Sequence, residues 1–136
     1  MPNYCDRCIK EFFPKDPATR FCSQQCQADY RYLDYITKWQ RGEISGGRKG
    51  GFVSSYVKRY IYDKSQGRCS ECGWSKMNLW SKTVPLEIDH INGNSEDHKE
   101  TNLRMLCPNC HSLTNTYKSL NRGRGRTLIQ RHLRGQ

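Results

Sequence analysis

Apolar positions in this chain fall into separate runs of two distinct periods, divided by glycine, proline and charge. After Ser23, Cys26, Tyr30, Leu33, Ile36 and Trp39 recur at three- and four-residue spacing, the pattern of a helix with an apolar face. Ser23 suits the N-cap of that helix, and Gly42 after Arg41 suits its stop, which predicts a helix from Gln24 to about Arg41. Val53, Tyr56, Val57, Tyr60 and Ile61 form a second helical stripe, predicted to start at Ser54 or Ser55 and to run to about Gln66, with Gly67 ending it. The tyrosines of this stripe read as core. Leu86–Ile91 alternates in character and reads as a strand, followed by a turn at Asn92-Gly93-Asn94 and a polar loop from Ser95 to Thr101. Leu103–Leu106 reads as the returning strand. Pro108 opens a turn into a third helix, predicted over about Cys110 to Lys118, and a brief amphipathic helix is predicted over Thr127–Leu133.

The stretches between these elements divide the chain. Gly42–Gly51 holds five glycines, with Arg41, Arg48 and Lys49 in or beside it. It reads either as a flexible linker or as a segment that tracks a phosphate backbone. Asn121–Arg126 is a second basic, glycine-rich run. The resulting organisation is an N-terminal module over 1–41, a linker over 42–51, a second domain over 52–120 and a basic tail over 121–136. With 35% apolar and 26% charged residues in 136, the core is expected to be thin and to need staples.

Eight cysteines supply them. Cys5-x-x-Cys8 pairs with Cys22-x-x-x-Cys26, and Cys69-x-x-Cys72 pairs with Cys107-x-x-Cys110. Nothing at the N-terminus resembles a signal peptide, and no apolar run approaches the roughly 20 residues of a membrane span. The chain is therefore expected to be soluble and cytoplasmic, neither secreted nor membrane-bound, with reduced thiols. That favours two structural zinc sites over disulfides, and no thioredoxin-like pattern supports redox chemistry at either CxxC. The formal charge is +10. Two four-thiolate zinc sites would lower it to roughly +6. The protein stays basic, which suggests a polyanionic partner.

The most telling stretch is Leu86-Glu87-Ile88-Asp89-His90, then Asn102, then Cys107-Pro108-Asn109-Cys110-His111. It resembles the His-Asn-His motif of the HNH endonucleases, the ββα-metal nucleases, and the compact form with a linker and an Arg-Gly tail resembles phage-encoded members. The resemblance covers roughly residues 67 to 126. It implies an α+β, zinc-stapled fold with a ββα-metal hairpin core, preceded by helices. The run Phe21-Cys22-Ser23-x-x-Cys26 is similar to treble-clef-like zinc modules, which adds a separate N-terminal module of that kind.

The resemblance also implies a metal-dependent DNA endonuclease. In it Asp89 and His111 would hold one catalytic divalent ion, with magnesium or manganese favoured and a transition metal compatible. His90 would be the general base, and Asn102 would brace the loop and orient that base. Asn115, four residues after His111, is expected on the same helix face, where some members carry a further ligand; an Asn there suits capping or DNA contact equally. The phosphodiester hydrolysis would leave a 5′-phosphate and a 3′-hydroxyl. Arg104, Lys118, Arg122, Arg124 and Arg126 are candidate DNA contacts, as are Arg48 and Lys49. A homodimer, or a phage or host protein partner, is compatible with the pattern. His98, in the polar loop, reads as solvated, and His132 as part of the tail. The alternative class is a non-catalytic zinc-stapled DNA-binding or adaptor protein, which has no use for Asp89, His90 and His111 together.

Overall fold

Ser23 and Ser54 open the two long helices, each with its hydroxyl accepting a backbone N–H three residues on, from Cys26 at 3.1 Å and from Val57 at 3.2 Å. A computed structural model describes residues 1–121. The tail beyond, with Arg122, Arg124, Arg126, His132 and the expected helix Thr127–Leu133, lies outside the described residues. The order is β1 (Asn3–Tyr4), β2 (Glu11–Phe12), α1 (Gln24–Gln40), β3 (Gly47–Arg48), β4 (Phe52–Val53), α2 (Ser55–Lys64), β5 (Glu87–His90), β6 (Leu103–Leu106) and α3 (Pro108–Ser112). Short 3₁₀ turns occupy Glu100–Asn102 and Lys118–Asn121. The strands pair as three separate antiparallel hairpins, β1–β2, β3–β4 and β5–β6. The architecture is a small α+β one, and no helix among the described residues is long and apolar enough to cross a membrane.

One hydrophobic cluster joins α1 to the C-terminal half of the chain. Ile36 and Trp39 from α1 and Val57 and Ile61 from α2 pack with Leu86, Leu103, Met105 and Leu106 around the β5–β6 hairpin. Cys69 and Cys107 belong to the same cluster. Val57, Met105 and Leu106 are almost wholly buried. Fully burying such a side chain contributes about 1.5–3 kcal/mol. Leu33, expected on the apolar face of α1, is exposed instead. Polar contacts tie the same elements together. Glu100 accepts from Tyr60 Oη at 2.8 Å and from Lys64 Nζ at 3.2 Å, both on α2, and from Gln40 of α1 at 3.4 Å. The turn that leads into β6 is thereby anchored to both helices.

The glycine-rich segment is not an open linker. It forms the β3–β4 hairpin, whose base is closed by Ser54 N–H donating to the Gly46 carbonyl at 2.9 Å. Gly46 has φ +78°, and a Cβ there would lie 2.6 Å from the Trp39 indole. Close approach, rather than flexibility, is what these small residues provide. Gly46→Ala is expected to lower stability by about 1–3 kcal/mol, read as a lower urea midpoint at unchanged slope.

The third helix also departs from expectation. It spans Pro108–Ser112 and gives way at Leu113, rather than continuing to Lys118. Ser112 Oγ donates to the Asn109 carbonyl at 2.7 Å, and Thr114 Oγ1 donates to the His111 carbonyl at 3.0 Å. Hydroxyls that bond nearby backbone carbonyls compete with helix propagation.

Candidate active site

Strand alternation sorts the residues of β5 onto two faces. Glu87 and Asp89 share one face, Ile88 and His90 the other, and Asp89 pairs in register with Arg104 of β6. Asp89 is buried, and its Oδ2 accepts from Arg104 Nε at 2.8 Å. Its Oδ1 is directed toward His111 Nε2, 3.8 Å away. The other ring nitrogen of His111, Nδ1, lies 2.5 Å from Glu87 Oε2. A carboxylate only accepts, so Nδ1 donates to Glu87, and Nε2 is the ring nitrogen turned toward Asp89. Tyr117 packs edge-on against the His111 ring, with centroids 5.6 Å apart.

His90 sits half-buried on the opposite face of the strand, with Nε2 3.0 Å from His98 Nδ1. Burial lowers the pKa of His90 below the ordinary histidine value, and the neighbouring His98 acts in the same direction, against Asp89 and Asp97. Burial likewise lowers that of His98. Both rings are therefore neutral at pH 7. His98 is only 5% exposed, which corrects the expectation of a solvated side chain remote from the motif.

Asn102 braces the intervening loop. It is buried, its Oδ1 accepts from Asn92 N–H at 3.0 Å, and its Nδ2 donates to Asn92 Oδ1 at 3.0 Å and to the Asp97 carbonyl at 2.8 Å. These bonds fold Asn92–Asp97 back over β5 and bring His98 to His90.

Asp89, His90 and His111 line one cleft of about 350 Å³, together with Ser95, Thr116 and Lys118. His90 also borders a second cleft of about 290 Å³, which includes Arg48, Phe52, Lys58 and Glu96. Of the expected DNA contacts, Lys118 and Arg48 thus stand at the edges of these clefts, and Lys49 is exposed beside Arg48. Arg104 does not stand free for DNA: it is committed to Asp89 and, at 3.7 Å, to Glu71. Asn115 is exposed in the turn after α3 and does not share a helix face with His111, because α3 has already ended.

Two cysteine clusters lie outside this cleft. The ligand atoms of Cys5, Cys8, Cys22 and Cys26 lie within 4.8 Å of one another, as do those of Cys69, Cys72, Cys107 and Cys110, so each cluster can hold a metal ion such as zinc. The Sγ separations are 3.7 Å for Cys8–Cys22, 3.6 Å for Cys22–Cys26 and 3.8 Å for Cys72–Cys107. Thiolates about 2.3 Å from a tetrahedral zinc stand about 3.8 Å apart, whereas a disulfide requires about 2.05 Å. Burial raises the Cys69 thiol, but backbone N–H groups of Cys107, Cys72 and Glu71 outweigh it and bring it down to about 6. Its hydrogen bond with Cys72 pushes Cys110 up to about 12. Cys69 ionises readily while Cys72 and Cys110 resist further charge, the conflict that a bound divalent cation removes. Cys110 turns to this cluster while the adjacent His111 turns to Asp89.

Two members of the site were not picked out in the sequence. Glu87 had a usable signal, since it lies two residues before Asp89 on a strand and must share its face. His98 had none, because the loop that carries it is positioned by Asn102 and Trp39 from distant parts of the chain.

Residues 69–116, which hold this hairpin, His90, His98, His111 and the second cysteine cluster, match the HNH endonuclease family model. Among characterised relatives, the chain is similar to the H-N-H endonuclease F-TflIV of Escherichia phage T5, with 39% identity over 79 residues. That alignment takes in 55% of this chain and 34% of the phage enzyme, so the chain spans about a third of the length of that relative. No solved structure matches the chain.

Proposed function

We propose that this protein is a metal-dependent DNA endonuclease in which His90 is the general base and Asp89 and His111 hold one divalent ion. The observation that carries the reading is the convergence of these three side chains on one cleft within the segment matching the family. The donor set fits such an ion. Arg104 occupies one oxygen of Asp89 and leaves Oδ1 facing Nε2 of His111, 3.8 Å away. Ligands about 2.1 Å from an octahedral ion stand about 3 Å apart across a right angle, so a small side-chain rotation brings the pair to ligating distance. A carboxylate and an imidazole suit magnesium, manganese or a transition metal. When bound, the ion supplies Lewis-acid stabilisation of the charge that develops on the phosphoryl and departing oxygens.

The chain supplies the rest. His90, neutral and on the other side of the strand from the ligand carboxylate, takes the proton of the attacking water at its unengaged ring nitrogen. Glu87 fixes the His111 tautomer, in the way that outer carboxylates orient metal-bound histidines. Asn102 holds the loop that brings His98 against His90. Lys118, Arg48 and Lys49 are placed to neutralise phosphates of the bound strand, without reading its sequence. The two cysteine clusters are read as structural zinc sites, closed by four thiolates each. The products, a 5′-phosphate and a 3′-hydroxyl, are those implied by the family.

The test is supercoiled plasmid incubated with the protein and magnesium or manganese. The expected result is nicked or linear product that EDTA suppresses; DNA bound but left intact under both metals would instead indicate the non-catalytic adaptor class. The ratio of nicked to linear product at early times reports whether one site cuts alone or two act in concert. Glu87→Gln is expected to raise the divalent-ion concentration needed for half-maximal cleavage by about 10–100-fold, checked by manganese titration at fixed DNA.

A further inference from the structure

His98 has no role in the chemistry described so far, yet it is a nearly buried imidazole held on several sides. Its ring nitrogen Nδ1 lies 3.0 Å from His90 Nε2. Its carbonyl accepts from the Trp39 indole N–H at 2.8 Å, a buried hydrogen bond that links it to α1 across 59 residues of sequence. On the β3 side, Gly47 gives it room: a Cβ there would lie 2.9 Å from His98 Cδ2 and 3.0 Å from Nε2. The ring is therefore clamped between α1, the β3–β4 hairpin and the loop that Asn102 braces.

We propose that His98 is a positioning residue for His90, fixing both the orientation and the tautomer of the general base. The inference rests on the reading of His90 as that base. Two imidazoles meeting nitrogen to nitrogen share one hydrogen bond, with one ring donating and the other accepting. For His90 to accept a proton from water at Nδ1, its own proton must sit on Nε2 and be donated to the Nδ1 lone pair of His98. His98 then carries its proton on Nε2, the side facing Gly47. The opposite arrangement, with His98 donating to His90 Nε2, places the His90 proton on Nδ1 and disables that nitrogen as a base. Once His90 has taken the proton from water, the same bond is charge-assisted and stronger, so His98 also stabilises the product of that transfer. Trp39 and Gly47 make the N-terminal helix and the glycine-rich hairpin part of the catalytic support rather than an appended module and its tether.

The test compares His98→Leu, His98→Asn and Gly47→Ala with the wild-type protein. An Asn side chain can place a polar atom near the Nδ1 position, whereas Leu removes it. His98→Leu is expected to lower kcat about 10–100-fold, the scale of a misplaced catalytic group, with KM for plasmid little changed. His98→Asn is expected to recover most of that loss. Ring ¹⁵N chemical shifts give a readout independent of cleavage: His90 is expected as the Nε2–H tautomer in the wild type and in His98→Asn, and as a mixture in His98→Leu. If His98→Leu proves too unstable to measure, Gly47→Ala decides the matter, because it crowds the His98 ring without removing it and is expected to lower kcat and mix the tautomers. Wild-type kcat and an unchanged His90 tautomer, in His98→Leu or in Gly47→Ala where that variant decides, overturn the proposal. A wild-type protein that shows no cleavage under either metal ion overturns the reading of His90 as a base, whatever the tautomer measurements give.

Discussion

Replacing His90 with alanine is expected to leave a folded protein that binds DNA and keeps its metals but no longer cuts. Proton abstraction by a positioned side chain contributes about 10²–10⁴-fold to a rate, and His90 is the neutral imidazole in the cleft that no ligand role occupies. Asp89 and His111 face each other, with Asp89 also paired to Arg104, while His90 stands on the other side of β5 with one nitrogen engaged by His98. Alanine removes no core packing of consequence, since His90 is only half-buried and lies outside the hydrophobic cluster. The kcat loss should therefore appear without a matching loss in thermal midpoint or in zinc content. The pairing with His98 introduces one complication, because His90→Ala leaves the Nδ1 of His98 without its partner. An unpaired buried polar group costs about 1–3 kcal/mol, so a modest fall in midpoint is compatible with a catalytic role. Cleavage by His90→Ala within a fewfold of wild type would remove the base assignment.

The parts of the site legible in the sequence are those whose geometry is local. Asp89 and His90 sit at adjacent strand positions, so alternation alone separates the proposed ligand from the proposed base. Cys110 and His111 sit in the first turn of a short helix, and their divergence toward different centres follows from the helix period. The CxxC spacings bring their thiolates together for the same reason. What the sequence concealed depends on contacts between distant segments. The loop Ser95–Thr101 looks solvated because its residues are polar, but Asn102, Trp39 and Glu100 fold it onto the helices and bury His98. The segment Gly42–Gly51 looks flexible because glycine is permissive, yet here glycine is present so that Trp39 and His98 can come close. Arg104 looked like a phosphate contact, and only the β5–β6 register reveals that it faces a buried carboxylate. The last helix is shorter than the apolar pattern suggests because that pattern carries no record of Ser112 and Thr114 bonding back to nearby carbonyls.

Cys107→Ser is expected to unfold the hairpin and its helix, and with them the proposed active site. Cys107 does three jobs at once. Its sulfur stands 3.8 Å from that of Cys72 in the second cysteine cluster. The same sulfur caps α3, accepting from Cys110 N–H at 3.4 Å. The residue itself is buried in the hydrophobic cluster beside Leu106. A structural zinc site contributes about 10–16 kcal/mol of apparent binding free energy in small zinc modules. The whole stability of an ordinary domain is about 5–15 kcal/mol. A core as thin as this one cannot absorb the loss of that centre. The sequence of events on removal is set by connectivity: without the cluster α3 loses its anchor to the Cys69–Cys72 loop, His111 leaves Glu87 and Asp89, and Arg104 is left to neutralise Asp89 alone. The measurements are zinc released per chain, far-UV circular dichroism and plasmid cleavage on the same preparation. The wild type is expected to release two zinc ions per chain, in keeping with its two clusters, and Cys107→Ser one, with loss of helical signal and of cleavage. Strong chelation of the wild type should reproduce the unfolding, whereas removal of magnesium alone should abolish cleavage and leave the dichroism spectrum intact. A Cys107→Ser protein with two zinc ions and an unchanged thermal midpoint would show that the cluster does not hold this hairpin together.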